Sequence, residues 1–168
     1  MKKMKKIILI CSVLVSYFGF SQNELKLNIA NALVIRSLDI SYEKQISSEN
    51  SFGISALFNL VEQKTAFRYN ENIMITPYFR HYFTADQQWN FFGEVFIGVN
   101  SGKKETVESS NNFNLEYTDA ALGVAIGTKY TSKTGLIVDI YAGVGRNLFL
   151  SDSPILVPRG GLNIGWKF

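Results

Sequence analysis

Residues 161–168 read "GLNIGWKF". Leu162, Ile164, Trp166 and Phe168 alternate with Gly161, Asn163, Gly165 and Lys167. In an extended chain that places an apolar face, ending in two aromatic rings, opposite a small or polar one. The last residues of a soluble domain are usually a frayed polar tail. This segment instead needs surroundings that accept a greasy face up to its final residue and hold Trp and Phe at its edge.

The other end of the chain narrows the choice. Lys2, Lys3, Lys5 and Lys6 precede the apolar run Ile7–Phe20, and Gly19, Phe20 and Ser21 form a small-x-small exit before "QNEL". This is the pattern of a secretory signal peptide over 1–21, cleaved after Ser21. The run is shorter than the ~20 residues that a spanning helix needs. Cys11 does not mark a lipoprotein, because Ile10 stands before it where a small residue is required. Without the leader, 147 residues remain, with 13 Lys and Arg against 14 Asp and Glu, a net charge of −1. The basic character of the full chain is therefore a targeting feature, and no nucleic-acid partner is expected. The single cysteine leaves with the leader, and disulfide and thiol chemistry leave with it.

The remaining chain has no helical period. Its apolar residues recur every second position in eight segments: 24–34, 37–47, 51–62, 71–83, 88–100, 115–131, 135–150 and 155–168. In "SLDISYEK", Leu38, Ile40 and Tyr42 oppose Asp39, Ser41 and Glu43. Alternating strands fit either a sandwich with its greasy face inward or a membrane barrel with it outward. The connections discriminate between them. Short turns near 47–51, 84–88 and 131–135 alternate with longer connections near 62–71, 101–114 and 147–157, the turn-and-loop asymmetry of membrane barrels. Tyr42, Phe52, Phe83, Trp89, Phe91, Tyr130, Trp166 and Phe168 share the greasy parity and lie at the short-turn ends. Such a layer suits the headgroup level of a bilayer rather than a soluble core. Gly123, Gly127, Gly143 and Gly145 fall on the opposite face, as the inside of a narrow barrel requires.

The leader, the alternating segments and the ending "GLNIGWKF" resemble the small outer-membrane β-barrel proteins of the OmpA, OmpX and OmpW type. The resemblance implies an all-β fold, an eight-stranded antiparallel up-and-down transmembrane β-barrel over 22–168, in the outer membrane of a Gram-negative bacterium. It further implies outer-membrane lipid as surroundings and recognition of the last strand, ending in Phe168, by the barrel-assembly machinery. Pro77 departs from the pattern; in mid-strand it removes a ladder donor, and a bulge is expected there.

The chain has no phosphate loop, no Gly-x-Ser-x-Gly elbow and no metal-ligand spacing, so neither cofactor nor metal is expected. Hydrolysis needs a nucleophile with a base in reach. The only histidine, His81, faces lipid by parity, away from the serines of 109–110 and 151–153. The polar face is more informative: Asp39, Glu43, Glu94 and Asp139 point inward with Arg80, Lys129, Arg159 and Lys167. These charges form either an ion pathway or a salt-bridged plug. An eight-stranded interior is just filled by side chains, here including Met74, Tyr78, Phe92 and Phe96, which favours the plug. The 101–114 segment reads as an unpatterned extracellular loop. If the last two strands rise above the membrane, Phe149, Ile155 and Val157 face inward as an apolar mouth. The leading expectation is a non-enzymatic barrel serving envelope structure or surface interaction. Its alternative is OmpW-like binding or uptake of a small hydrophobic ligand through that mouth; a lipid hydrolase is a third reading.

The mature protein should begin at or near Gln22, as N-terminal sequencing of the membrane fraction would establish. Deleting Phe168 should lower the yield of heat-modifiable barrel on unboiled gels more than Ile164→Val does. Equal yields would remove the terminal strand's assembly role.

Overall fold

The computed structural model describes residues 23–60, 71–85, 87–108, 111–149 and 153–168. The expected signal peptide, most of the 62–71 connection, and Ser109, Ser110 and Ser151 lie outside the described residues. Eight strands form a closed barrel in chain order: β1 Asn23–Asn28, β2 Ser37–Gln45, β3 Asn50–Asn59, β4 Glu71–Tyr82, β5 Trp89–Glu108, β6 Asn111–Thr131, β7 Leu136–Asn147 and β8 Leu156–Lys167. All pairs are antiparallel, and β1 closes on β8 with Leu25 opposite Trp166 and Leu27 opposite Ile164. The all-β fold class read from the alternation is the fold of the chain.

The polar parity turns inward. Arg80, Glu43, Glu94 and Asp139 are enclosed, whereas Ile126 is 74% exposed and Phe52 is 57% exposed. On β4, β5 and β8 the outward row runs ten residues, from Phe83 to Ile73, Trp89 to Val99 and Trp166 to Leu156. At about 3.3 Å per residue and a tilt near 40°, ten residues rise about 25 Å, the height of the apolar band of a membrane barrel. The rings of Phe52 and Phe79 meet at 5.0 Å, and those of Trp89 and Tyr130 at 5.1 Å, at its short-turn end.

Three details differ from the sequence reading. The first segment is extended only to Asn28; a one-turn π-helix, Asn31–Ile35, replaces the rest. Arg36 (φ 54°, ψ 41°) ends that turn in the left-handed region and donates its N–H to the Asn31 carbonyl. The upper part of β8 therefore has no β1 partner, and the Asn28 side-chain amide bridges to the Gly160 carbonyl at 3.2 Å. Asp39 holds the same place by accepting from Asn28 and Asn31, at 2.9 and 2.6 Å. A buried carboxylate and two amides give this stretch a better use for its polar groups than further pairing.

Second, 101–114 is not an unpatterned loop. The β5–β6 ladder continues to Glu108 opposite Asn111, beyond the tops of β4 and β7. The segment is polar and carries no alternation of hydrophobicity to signal a strand, while the ladder still satisfies the backbone. Third, no bulge forms at Pro77. The β4–β5 register is the same on either side, Ile75 opposite Val99 and Tyr78 opposite Phe96; the shift lies between Glu71 and Ile73. Pro77 faces out, and the ladder omits the Thr76 and Pro77 pairs there without gaining a residue.

Inside, large side chains fill space vacated by glycine. A Cβ on Gly53 would strike the Tyr78 ring, one on Gly123 the Phe96 ring, and one on Gly127 the Phe92 ring. Gly135 (φ 95°) makes the β6–β7 turn, where a side chain would be strained and would press on the Lys167 carbonyl. Gly123→Val should destabilise the barrel by about 1–3 kcal/mol through overpacking. Val124→Leu, one residue along but outward, should be close to neutral. Urea titration of the barrel folded in vesicles measures both, and equal effects would mean the interior is not filled as described.

Candidate functional site

The inward charges form one network. Glu43 on β2 lies at its hub, fully enclosed. Its Oε2 accepts from Lys26 Nζ, from Tyr78 OH at 3.2 Å and from Arg80 Nη1 at 3.2 Å. Its Oε1 accepts from Tyr82 OH, from Ser51 Oγ at 2.7 Å and from Lys129 Nζ at 3.1 Å. Six donors on two oxygens satisfy a carboxylate about as fully as its lone pairs allow.

From Glu43 the pairing spreads to every strand. Arg80 Nε binds Glu94 Oε2 at 2.7 Å, and Arg80 Nη1 also reaches Asp139. Lys26 binds Asp139 Oδ2 at 3.0 Å. Lys129 holds both oxygens of Glu24 at 2.9 Å. Arg159 Nε takes the second oxygen of Glu94 at 2.7 Å, and its Nη1 donates to Ser55 Oγ at 3.1 Å. Four acids (Glu24, Glu43, Glu94, Asp139) thus match four bases (Lys26, Arg80, Lys129, Arg159). Aromatic faces line the cations: Arg80 sits 4.0 Å from the Phe92 ring centroid, Lys129 4.4 Å from Tyr82, and Arg159 5.2 Å from Phe96. A cation over a desolvated ring gains further stabilisation.

Seven of the eight residues expected in the network are buried in the lumen: Asp39, Glu43, Arg80, Glu94, Lys129, Asp139 and Arg159. Arg80 meets Glu94 as their adjacent strands suggested. Lys129 stands opposite Asp139 in register yet bonds to Glu24 and Glu43 instead; Arg80 and Lys26 both bind Asp139 Oδ2, and its buried Oδ1 accepts no hydrogen bond from a described residue. Asp39 joins the amide cluster of the π-helical turn rather than the ion pairs. Lys167 is half-buried at the rim, its Nζ 3.4 Å from Gln45 Oε1. That rim bounds a polar vestibule of about 270 Å³ at the short-turn end, floored by Glu24, Tyr82 and Lys129. Glu24 and Lys26 were missed by the sequence reading. "NELKLN" carries their signal in plain form, since Glu24, Lys26 and Asn28 alternate with Leu25 and Leu27.

The apolar mouth does not assemble. Val157 is enclosed, but Phe149 is 72% exposed and Ile155 61%. β7 ends at Asn147 and β8 begins at Leu156, so strand parity does not extend to either residue. Asp119 draws the connection down, accepting from the Phe149 N–H at 3.1 Å and from Ser153 Oγ, while Asn147 Nδ2 donates to the Pro154 carbonyl at 2.7 Å. His81 faces outward, its Nδ1 3.0 Å from Asn50 Oδ1 and its ring against Phe83. Tyr42, Phe52, Phe83, Trp89, Phe91, Tyr130, Trp166 and Phe168 all carry the outward parity at the short-turn ends, and Tyr42 OH donates to Asn23 at 2.8 Å. Among the described residues no His, Cys, Asp and Glu cluster could hold a metal ion.

No family model matches the sequence, and no curated protein matches it. Solved structures do match the fold. The N-terminal β-barrel domain of Pseudomonas aeruginosa OprF aligns with a TM-score of 0.59 at 12% identity, over 88% of this chain and 98% of that one. Neisserial surface protein A aligns with a TM-score of 0.52 at 12% identity, over 88% and 95%. The Yersinia pestis outer membrane protein Ail, determined in a phospholipid bilayer nanodisc, aligns with a TM-score of 0.50 at 11% identity, over 89% and 100%. At such identities the likeness is one of fold.

Glu43→Ala should lower the unfolding free energy by about 3–5 kcal/mol, since it leaves three buried cations short of a partner. Lys167→Ala at the rim should cost under about 1 kcal/mol. Replacing Arg80 and Glu94 together by neutral residues should recover only part of the Arg80→Ala loss, because Glu43 and Asp139 also lean on Arg80. Urea titrations in vesicles and a double-mutant cycle test this; full recovery would reduce the network to an isolated pair.

Proposed function

We propose that the protein is a non-enzymatic integral barrel of the outer membrane whose lumen is closed by its own charges, and that it acts through its surfaces. The observation that carries this reading is the opposition of the two faces of one wall. Outside, apolar rows about 25 Å tall end in an aromatic layer, as a bilayer demands. Inside, four acids pair with four bases among packed rings. A wall of this kind belongs in lipid, and a lumen of this kind holds no continuous file of water.

Work at the surface then falls to the parts that leave the barrel. The β5–β6 ribbon stands beyond the neighbouring strands and offers envelope or surface partners an extended platform. The terminal β8, with Trp166 and Phe168 outward, is the segment for the assembly machinery to read. A catalytic reading has little support: His81 contacts Asn50 and Phe83 on the lipid face, and neither is a nucleophile.

Planar bilayers test the closed lumen directly. The purified barrel should give no steady conductance, and Glu43→Ala or Arg80→Ala should introduce unstable, noisy openings as the network loosens. Sustained ion-selective current in the wild type, altered in selectivity but not stability by Arg80→Ala, would replace the plug with a pore.

A further inference from the structure

Arg146 is the cation of β7 that the lumen network leaves out. It stands opposite Leu122 on β6 and Leu156 on β8, exposed on the outward face. It has no ion pair or side-chain hydrogen bond with any described residue. An arginine facing lipid costs about 2–4 kcal/mol at the bilayer midplane and about 0–1 kcal/mol near an interface. Its height decides which applies. Leu136 on the same outward row pairs with Trp166, inside the aromatic layer. Arg146 lies ten residues further along β7, about 25 Å higher by the rise and tilt of a barrel strand. That is the headgroup level of the opposite leaflet.

Below the guanidinium runs a groove of about 410 Å³ in the lipid-facing wall. The paired Gly123 and Gly145 form its floor, and Val124, Val144 and Leu156 its sides, with Arg146 at the upper edge. An apolar trough capped by one unpaired cation complements an amphiphile with an anionic head and a hydrocarbon chain. Guanidinium binds phosphate oxygens bidentately and holds that geometry better than an ammonium does.

We propose that Arg146 and the groove beneath it bind a phosphorylated membrane lipid, its phosphate on the guanidinium and one acyl chain along Gly123 and Gly145. The site rests on the barrel being embedded in a bilayer. Its occupant is a lipid phosphate rather than a free anion, because the groove continues the apolar rows into which a chain must pass.

The test uses the full mature barrel in vesicles doped with phosphatidic acid or with diacylglycerol of the same chains. Lipid retained after gentle detergent extraction is read by native mass spectrometry. Wild type should retain phosphatidic acid about tenfold over diacylglycerol, as a charge-assisted bidentate contact would give. Arg146→Gln should abolish the preference and Arg146→Lys should leave part of it. Lys133→Gln, in the exposed β6–β7 turn at the other end, should behave as wild type. Equal retention by wild type and Arg146→Gln, or displacement of the lipid by inorganic phosphate, would overturn the site. Quenching of Trp89 and Trp166 by brominated lipid reports insertion separately. Insertion with no phosphate preference rejects the lipid site alone; failure to insert rejects the embedded barrel and the site with it.

Discussion

Burying Glu43 is the condition on which the rest of the barrel depends. A carboxylate taken from water loses several kcal/mol of solvation, and only close partners restore it. Here three donors converge on each oxygen, from β1, β3, β4 and β6. Arg80 carries the connection on to Glu94 of β5 and Asp139 of β7, and Arg159 brings in β8. The hydrogen-bonded ladder joins each strand only to its neighbours. The charges join strands across the lumen, which fixes the section of the barrel as well as its circumference.

That solution sets the size of everything around it. Long side chains crossing a narrow interior leave no room for substituents on the wall they approach. Glycine therefore faces Tyr78 at position 53, Phe96 at 123, Phe92 at 127 and Lys26 at 165. The large-and-small pairing is the lumen's equivalent of close packing in a soluble core, with charge neutralisation replacing much of the hydrophobic driving force. The apolar residues are consequently free to face outward. Each strand thus turns its charged and polar side chains to the lumen and its apolar ones outward.

Much of this was legible in the sequence because a membrane barrel writes its two environments at alternate positions. Leu38, Ile40 and Tyr42 against Asp39, Ser41 and Glu43 suffice to orient β2, and the same parity places Arg80, Glu94 and Arg159 inside. What parity could not supply was reach. Lys129 faces Asp139 across the ladder but crosses the lumen to Glu24 and Glu43, while Arg80 and Lys26 reach Asp139 from other strands; ladder register does not say which partner a long side chain takes. Parity also fails wherever the chain stops being a strand. Phe149 and Ile155 would face inward only if β7 and β8 continued, and Asp119 and Asn147 bend the connection instead. The β5–β6 ribbon shows the converse, a ladder whose sequence carries no alternation of hydrophobicity to announce it. Pro77 was read as forcing a bulge, yet omitting two pairs keeps the register that inserting a residue would have shifted, reversing the facing of Ile75 and Ile73.

The two ends of the barrel consequently differ in kind. At the short-turn end, Trp89, Tyr130, Trp166 and Phe168 hold the wall at one interface by their amphipathic rings. No comparable layer marks the described outward positions at the other end, where Arg146 tops the β7 row and the β5–β6 ribbon continues upward. Rings tolerate any lipid headgroup, whereas a guanidinium above an apolar groove discriminates among them. The first end thus carries the anchoring rings and the terminal strand, and the second a cation above an apolar groove; on the reading proposed above, it is at the second that lipid headgroups are told apart.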